Sequence, residues 1–171
     1  MAASALNGGR SADPVRAQTL TLYDLRDAYH RRRAPDIDHL PADVAGLVRC
    51  IHRHLFEPTT NVASVKARCG IRRHSIGGRF RAAVGRGMRD HIEDRRLGAA
   101  AFLLRETSAE VCDIALAVGY EHEETFYRAF RRRRGLTPSA YRRDQGRPVV
   151  PQRQGSTVPG KKCQERRSVR F

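Results

Sequence analysis

Ile114-Ala115-Leu116-Ala117-Val118-Gly119 is followed by Phe126, Phe130 and Gly135. The same layout occurs earlier, where Val65-Lys66-Ala67-Arg68-Cys69-Gly70 is followed by Ile76, Phe80 and Gly85. In each copy a short apolar-periodic segment stops at a glycine. A second, strongly basic segment then places apolar residues four apart and ends on another glycine five residues beyond the last of them. This is the layout of a supporting helix, a tight turn that often needs glycine, and a helix offered to the DNA major groove. The repeat predicts an all-α fold built on two helix-turn-helix units.

Working outward, residues 88–105 carry Ile92, Leu97, Ala100, Ala101, Leu103 and Leu104 without a proline, which predicts a long helix joining the units. About 18 residues at ~1.5 Å each give roughly 27 Å, near the ~34 Å between successive major-groove faces of one duplex. Upstream, Val44, Leu47, Val48, Ile51 and Leu55 form one apolar stripe over a leading helix at 41–58, bounded by Pro41 and Pro58. Asn61 is placed to cap the first unit, at 61–85, by accepting a bond from a free backbone N–H. The second unit runs over 108–143, where Thr137-Pro138 starts a last short helix anchored by Tyr141. Residues 1–40 read as a disordered or weakly helical arm. Within it Leu22, Leu25 and Tyr29 fall at helical spacing and predict a marginal helix on a mobile segment. Residues 144–171, with Pro148, Pro151 and Pro159, read as a disordered basic tail adding nonspecific phosphate attraction.

The chain has 171 residues, a formal net charge of +15 and a sequence pI near 11.0, almost wholly from arginine, with lysine only at 66, 161 and 162. Such an excess draws polyanions, nucleic acid first and acidic membrane surfaces second. No apolar run approaches the ~20 residues of a membrane span and no leader pattern is present, so a soluble cytoplasmic protein is expected. Cys50, Cys69, Cys112 and Cys163 form no C-x-x-C pair, and three lie in apolar-periodic segments, which predicts buried reduced thiols. Of Cys50, His52 and His54 only the first and last share a helical face, and no further ligands are near. No metal and no cofactor are expected. No G-x-S-x-G, P-loop or H-E-x-x-H pattern occurs. Asp90, Glu93 and Asp94 beside Arg89, Arg95 and Arg96 read as a salt-bridged solvent face of the long helix. An enzyme is not expected.

With these residues in view, the stretch 61–143 resembles the DNA-binding domain of AraC/XylS-type bacterial transcription regulators. The match is densest in GYEHEETFYRAFRRRRGLTPSAYRR, residues 119–143, where Ile114-Ala115, Gly119-Tyr120, Phe126, Arg128, Phe130, Gly135, Pro138 and Tyr141 fall at the family's spacings. The resemblance implies two helix-turn-helices on a linker helix that bind an asymmetric promoter site as monomer or dimer and recruit or repel RNA polymerase. The ~60 residues upstream are too few and too polar for an effector-sensing domain, so the chain resembles the stand-alone members, and no small-molecule effector is expected.

Phe126 and Phe130 share a face and read as core. The family's base-contacting positions in this helix match Glu124, Thr125 and Arg128. Arg128 could donate two bonds to guanine O6 and N7, Glu124 could accept from cytosine N4, and the Thr125 methyl could touch thymine. Glu123 and Glu124 equally suit a helix N-terminus through its dipole. Arg131 and Arg132 fit phosphate contacts. In the first unit the matching positions are His74, Gly77 and Gly78. Two glycines cost the helix about 2 kcal/mol relative to alanine and offer no side chain to bases. Docking there falls to Arg72, Arg73, Arg79 and Arg81, and specificity is expected to concentrate in the second unit. Three function classes follow: a sequence-specific regulator, a nonspecific architectural binder, and an interaction module acting through the helix at Leu22 to Tyr29. Dependence on sequence at fixed salt separates the first two, and loss of steep salt dependence marks the third.

Overall fold

The computed structural model describes residues 21–71 and 75–144. Among these residues the structure is all helix: α1 Leu22–Arg32, α2 Ala42–His54, α3 Val62–Arg68, α4 Ile76–Val84, α5 Met88–Glu106, α6 Val111–Ala117, α7 Glu123–Arg134 and α8 Pro138–Asp144. The pairs α3/α4 and α6/α7 are the two helix-turn-helices, and α5 is the helix between them.

Local chemistry sets these bounds. Asn61 and Ser64 cap α3 reciprocally, the Ser64 amide donating to Asn61 Oδ1 at 3.0 Å and the Asn61 amide to Ser64 Oγ at 2.9 Å. The second helix of each unit stops on a glycine in the left-handed region, Gly85 at φ 77° and Gly135 at φ 75°. Two cores result. Val44, Leu47, Val48, Ile51, Leu55, Val65, Ile76 and Phe80 bury one another with Met88 and Ile92 from the start of α5. From Leu97 onward α5 serves the second core, with Leu103, Leu104, Val111, Ile114, Val118, Phe126 and Phe130. One helix thus fills both cores and fixes the spacing of the units.

The arm differs from the sequence expectation. Instead of a marginal helix on a mobile segment, α1 is capped by Thr21 and Asp24 and packs Leu22, Leu25 and Tyr29 against the second core. The Tyr29 ring stacks on Phe102 with centroids 4.7 Å apart, and Arg26 Nη1 donates to the Ala117 carbonyl at 2.8 Å. At its C-terminal end the His30 ring stacks on His52 of α2 at 3.7 Å, so α1 also reaches the leading helix that packs in the first core. Arg26 and His30 add polar contacts to this docking, which an apolar-stripe reading leaves out. The disorder expected for residues 1–20 and 145–171 lies outside the described residues.

The acidic face of α5 also differs. Its partners come from elsewhere in the chain: Glu93 pairs with Arg132 at 2.6 Å, and Asp94 with Arg86 at 2.7 Å and Arg133 at 2.8 Å. Arg96, expected at the solvent face, is 8% exposed. The cause is its register: Arg96 follows Ile92 by four residues and precedes Ala100 by four, so it falls in the buried stripe.

Candidate nucleic-acid interface

Phe126, Ala129 and Phe130 turn one face of α7 inward, leaving Glu124, Thr125, Arg128, Arg131 and Arg132 exposed on the others. Residues 124, 128 and 131 follow one another at helical spacing, so a carboxylate, a guanidinium and a second guanidinium line one edge. Glu123 and Glu124 occupy the first turn after the His122 N-cap, which itself makes no side-chain capping bond. Their charges meet the positive end of the helix dipole. Among the described residues Arg128 and Arg131 have no ion-pair partner, whereas Arg132 and Arg133 are engaged by Glu93 and Asp94.

Asp94 joins the two units, since Arg86 comes from the turn after α4 and Arg133 from α7. Partial burial pushes its carboxyl upward, but the Arg133 and Arg86 guanidinia outweigh that and hold it below the ordinary carboxylate range.

In the first unit Ile76 and Phe80 are buried and α4 exposes Gly78, Arg79, Arg81 and Ala82. A Cβ added at Gly77 or Gly78 would meet no atom within 4 Å. Arg79 grips Asp43 of α2 through two bonds, at 2.7 and 3.1 Å, and so enters any phosphate contact by exchanging or sharing that carboxylate. Arg81 is exposed on the same helix. Arg72, Arg73 and His74 lie outside the described residues.

Between α5, the turn at Gly119 and the α2–α3 connection lies a junction that the sequence reading missed. Arg96 Nε donates to the Leu55 carbonyl at 2.8 Å, and its Nη2 donates to the Glu57 carbonyl at 2.6 Å. The guanidinium also lies over the Tyr120 ring, 5.8 Å from the centroid. Burial, foremost, pushes the Tyr120 hydroxyl up to about 12. Gly119, at φ 89°, completes the junction: a Cβ there would fall 2.9 Å from the Phe56 carbonyl oxygen and 3.0 Å from Arg96 Nη2. The turn of the second unit therefore rests directly on the α2–α3 connection of the first. The signal that could have found Arg96 is its place in the apolar stripe of α5.

Pro138 and Arg142 bury α8 against the second unit, with Arg142 Nη2 donating to the Ala109 carbonyl at 2.7 Å. Among the described residues no helix is long and apolar enough to cross a membrane, and no cluster of His, Cys, Asp and Glu could hold a metal ion.

Comparison with known proteins agrees with this architecture. A helix-turn-helix domain family model matches residues 65–144. Regulatory protein SoxS of Escherichia coli K12 is 35% identical over 99 residues, covering 58% of this chain and 92% of that protein. A Streptomyces lividans protein described as an AraC-like transcription regulator is 35% identical over 100 residues, 58% of this chain but 33% of that longer protein. The DNA-binding domain of AdpA, a global transcriptional factor solved in complex with a target DNA, superposes with a TM-score of 0.56 at 27% identity, covering 61% of this chain and 93% of that domain. The double helix-turn-helix and these relatives together show that the chain belongs to the AraC/XylS-type family and is a DNA-binding transcription regulator, not an enzyme.

Proposed function

We propose that this regulator recognises asymmetric double-stranded promoter sites by lying along one face of the duplex. The α4 and α7 helices enter successive major grooves, and bases are read mainly by the second unit. The observation that carries this reading is the edge of α7. Arg128 is exposed and unpaired among the described residues, flanked by Glu124 and Thr125, while neighbouring arginines are held by carboxylates of α5. Arg128 suits guanine, Glu124 cytosine and Thr125 a thymine methyl. Arg131 and Arg81 supply phosphate contacts, joined by Arg79 and Arg132 when their carboxylate partners yield, and by Arg72 and Arg73 beside the base-reading position His74. The first unit, with Gly77 and Gly78 where side chains would read, contributes shape and charge. A bound regulator then recruits or repels RNA polymerase.

Selection from a random duplex pool at near-physiological salt tests this. A recovered motif whose tightest constraint falls within one half-turn of DNA is expected. Arg128→Ala should relax that constraint, by about 1–3 kcal/mol of discrimination at one base pair, while leaving random-sequence affinity nearly unchanged. An unenriched pool with binding intact would instead identify an architectural binder.

A further inference from the structure

Cys50 on α2 and Cys69, the residue that ends α3, face each other across the first unit. Both are half-buried, rest on its core, and line one open cleft of about 540 Å³ together with Gly46, Arg49, Arg53, His54 and Arg68. The two thiols are near enough to act on one another, and the Arg68 guanidinium acts electrostatically on Cys50. Arg68 is oriented by Glu57, which it meets at 2.7 Å and which also takes His54 at 2.6 Å.

We propose that Cys50 and Cys69 are a redox modification site, closing a reversible intramolecular disulfide when a small hydroperoxide enters the arginine-lined cleft. Three features favour it. The cleft admits a small oxidant, Arg49, Arg53 and Arg68 line it beside the sulfurs, and the two thiols share its wall and rest on the same core.

The roles of the two sulfurs differ. Burial, foremost, and the neighbouring Cys50 push the Cys69 thiol up to about 11. Cys50, the sulfur on which the Arg68 guanidinium acts, is the attacking one: it takes one oxygen from the hydroperoxide, the O–O bond breaks, and an alcohol or water leaves with the thiol proton, giving a sulfenic acid. The Cys69 sulfur then displaces that oxygen as water, its own proton completing the molecule, and the S–S bond forms. Each sulfur has lost one electron and each peroxide oxygen has gained one. A dithiol reverses the step by exchange.

The bond would act on DNA binding through position. Cys69 directly precedes Gly70, whose φ of 63° starts the turn leading toward α4. Closing the gap between the two sulfurs to a covalent bond draws this turn toward α2 and shifts the first reading helix, whichever bases the second unit reads.

Peptide mapping of the full-length protein after hydrogen peroxide treatment tests the site. The expected product is a peptide pair linked through Cys50 and Cys69, lighter by two hydrogen atoms and restored by dithiothreitol. Cys50→Ser and Cys69→Ser should each abolish it, and Cys112→Ser should not. On the same wild-type sample, affinity for a fixed duplex should fall several-fold on oxidation and return on reduction. Links involving Cys112 or Cys163, or sulfinic and sulfonic acids at Cys50 without a link, would overturn the site. A quantitative Cys50–Cys69 link with unchanged affinity would overturn the control of DNA binding. Mapping the wild-type chain keeps the assignment open to refutation even if a serine variant fails to fold.

Discussion

Gly119 and Gly70 hold the same place in the two repeats and share a positive φ, yet their surroundings differ. A side chain at Gly70 would meet open space, whereas one at Gly119 would meet the Phe56 carbonyl and the Arg96 guanidinium. Backbone strain alone costs an alanine about 1–2 kcal/mol at such a φ. Gly119→Ala adds a clash and should destabilise by about 3 kcal/mol or more. Urea midpoints for the two variants should separate clearly, and equal losses would show that the junction yields. A second residue-level expectation concerns Asp43, whose carboxylate occupies Arg79. Asp43→Asn should raise affinity for random-sequence DNA and steepen the salt dependence by up to about one unit of log–log slope, read by binding titrations across salt. The turn glycines were legible because the pattern repeats. Arg96 was not, because Glu93 and Asp94 stand just upstream and suggest a charged surface, while its hydrogen-bond partners are carbonyls of residues 55 and 57 that leave no trace in side-chain composition.

The helices that the apolar stripe describes well are those whose partners are apolar: α2, α5 and α7 announce themselves through Leu47, Leu103 and Phe126 and their helical neighbours. α1 buries no residue fully. It docks through a stacked tyrosine, a stacked histidine and an arginine that reaches the Ala117 carbonyl, contacts that depend on the folded neighbours rather than on its own periodicity. Deleting residues 1–34 should therefore expose Phe102 and the second core and lower stability by about 2 kcal/mol, or several degrees in thermal midpoint. An unshifted midpoint would mean that α1 rides on the surface without supporting it. At the reading helices the sequence showed which side chains point outward but not which are occupied. Arg79 and Arg132 differ from Arg128 only through carboxylates far away in the chain.

Across the whole molecule, several charges are arranged around histidines that must stay neutral. Burial, with His30 and Arg95 next in importance, pushes His52 down to about 4, and burial with Arg95 and Arg86 does the same to His91. Unfolded histidines take up protons near the ordinary value of 6.5. The folded chain binds fewer protons below that value, so stability is complete above pH 6.5 and drains as pH falls toward about 4. A thermal-midpoint titration should show this fall, and Gln at both positions should flatten it. A midpoint constant over that range would show that the two rings are hydrated. The architecture itself was legible because the repeat and the proline-free helix between its copies are one-dimensional patterns. The contact between the two units was not, because it is assembled from a glycine without a side chain, a buried arginine and backbone oxygens.

If the second unit reads bases as proposed, the bare stretch of α4 at Gly77 and Gly78 makes the protein a two-slot reader with one slot left blank. Nothing packs where side chains would project, so the blank is unconstrained by the fold. Alanine at each position would firm the helix by up to about 1 kcal/mol, and larger polar groups could face a groove without disturbing Ile76 or Phe80 beneath. On that reading the first unit is an evolvable surface, on which a new promoter preference could arise by one or two codon changes while the second unit keeps its own.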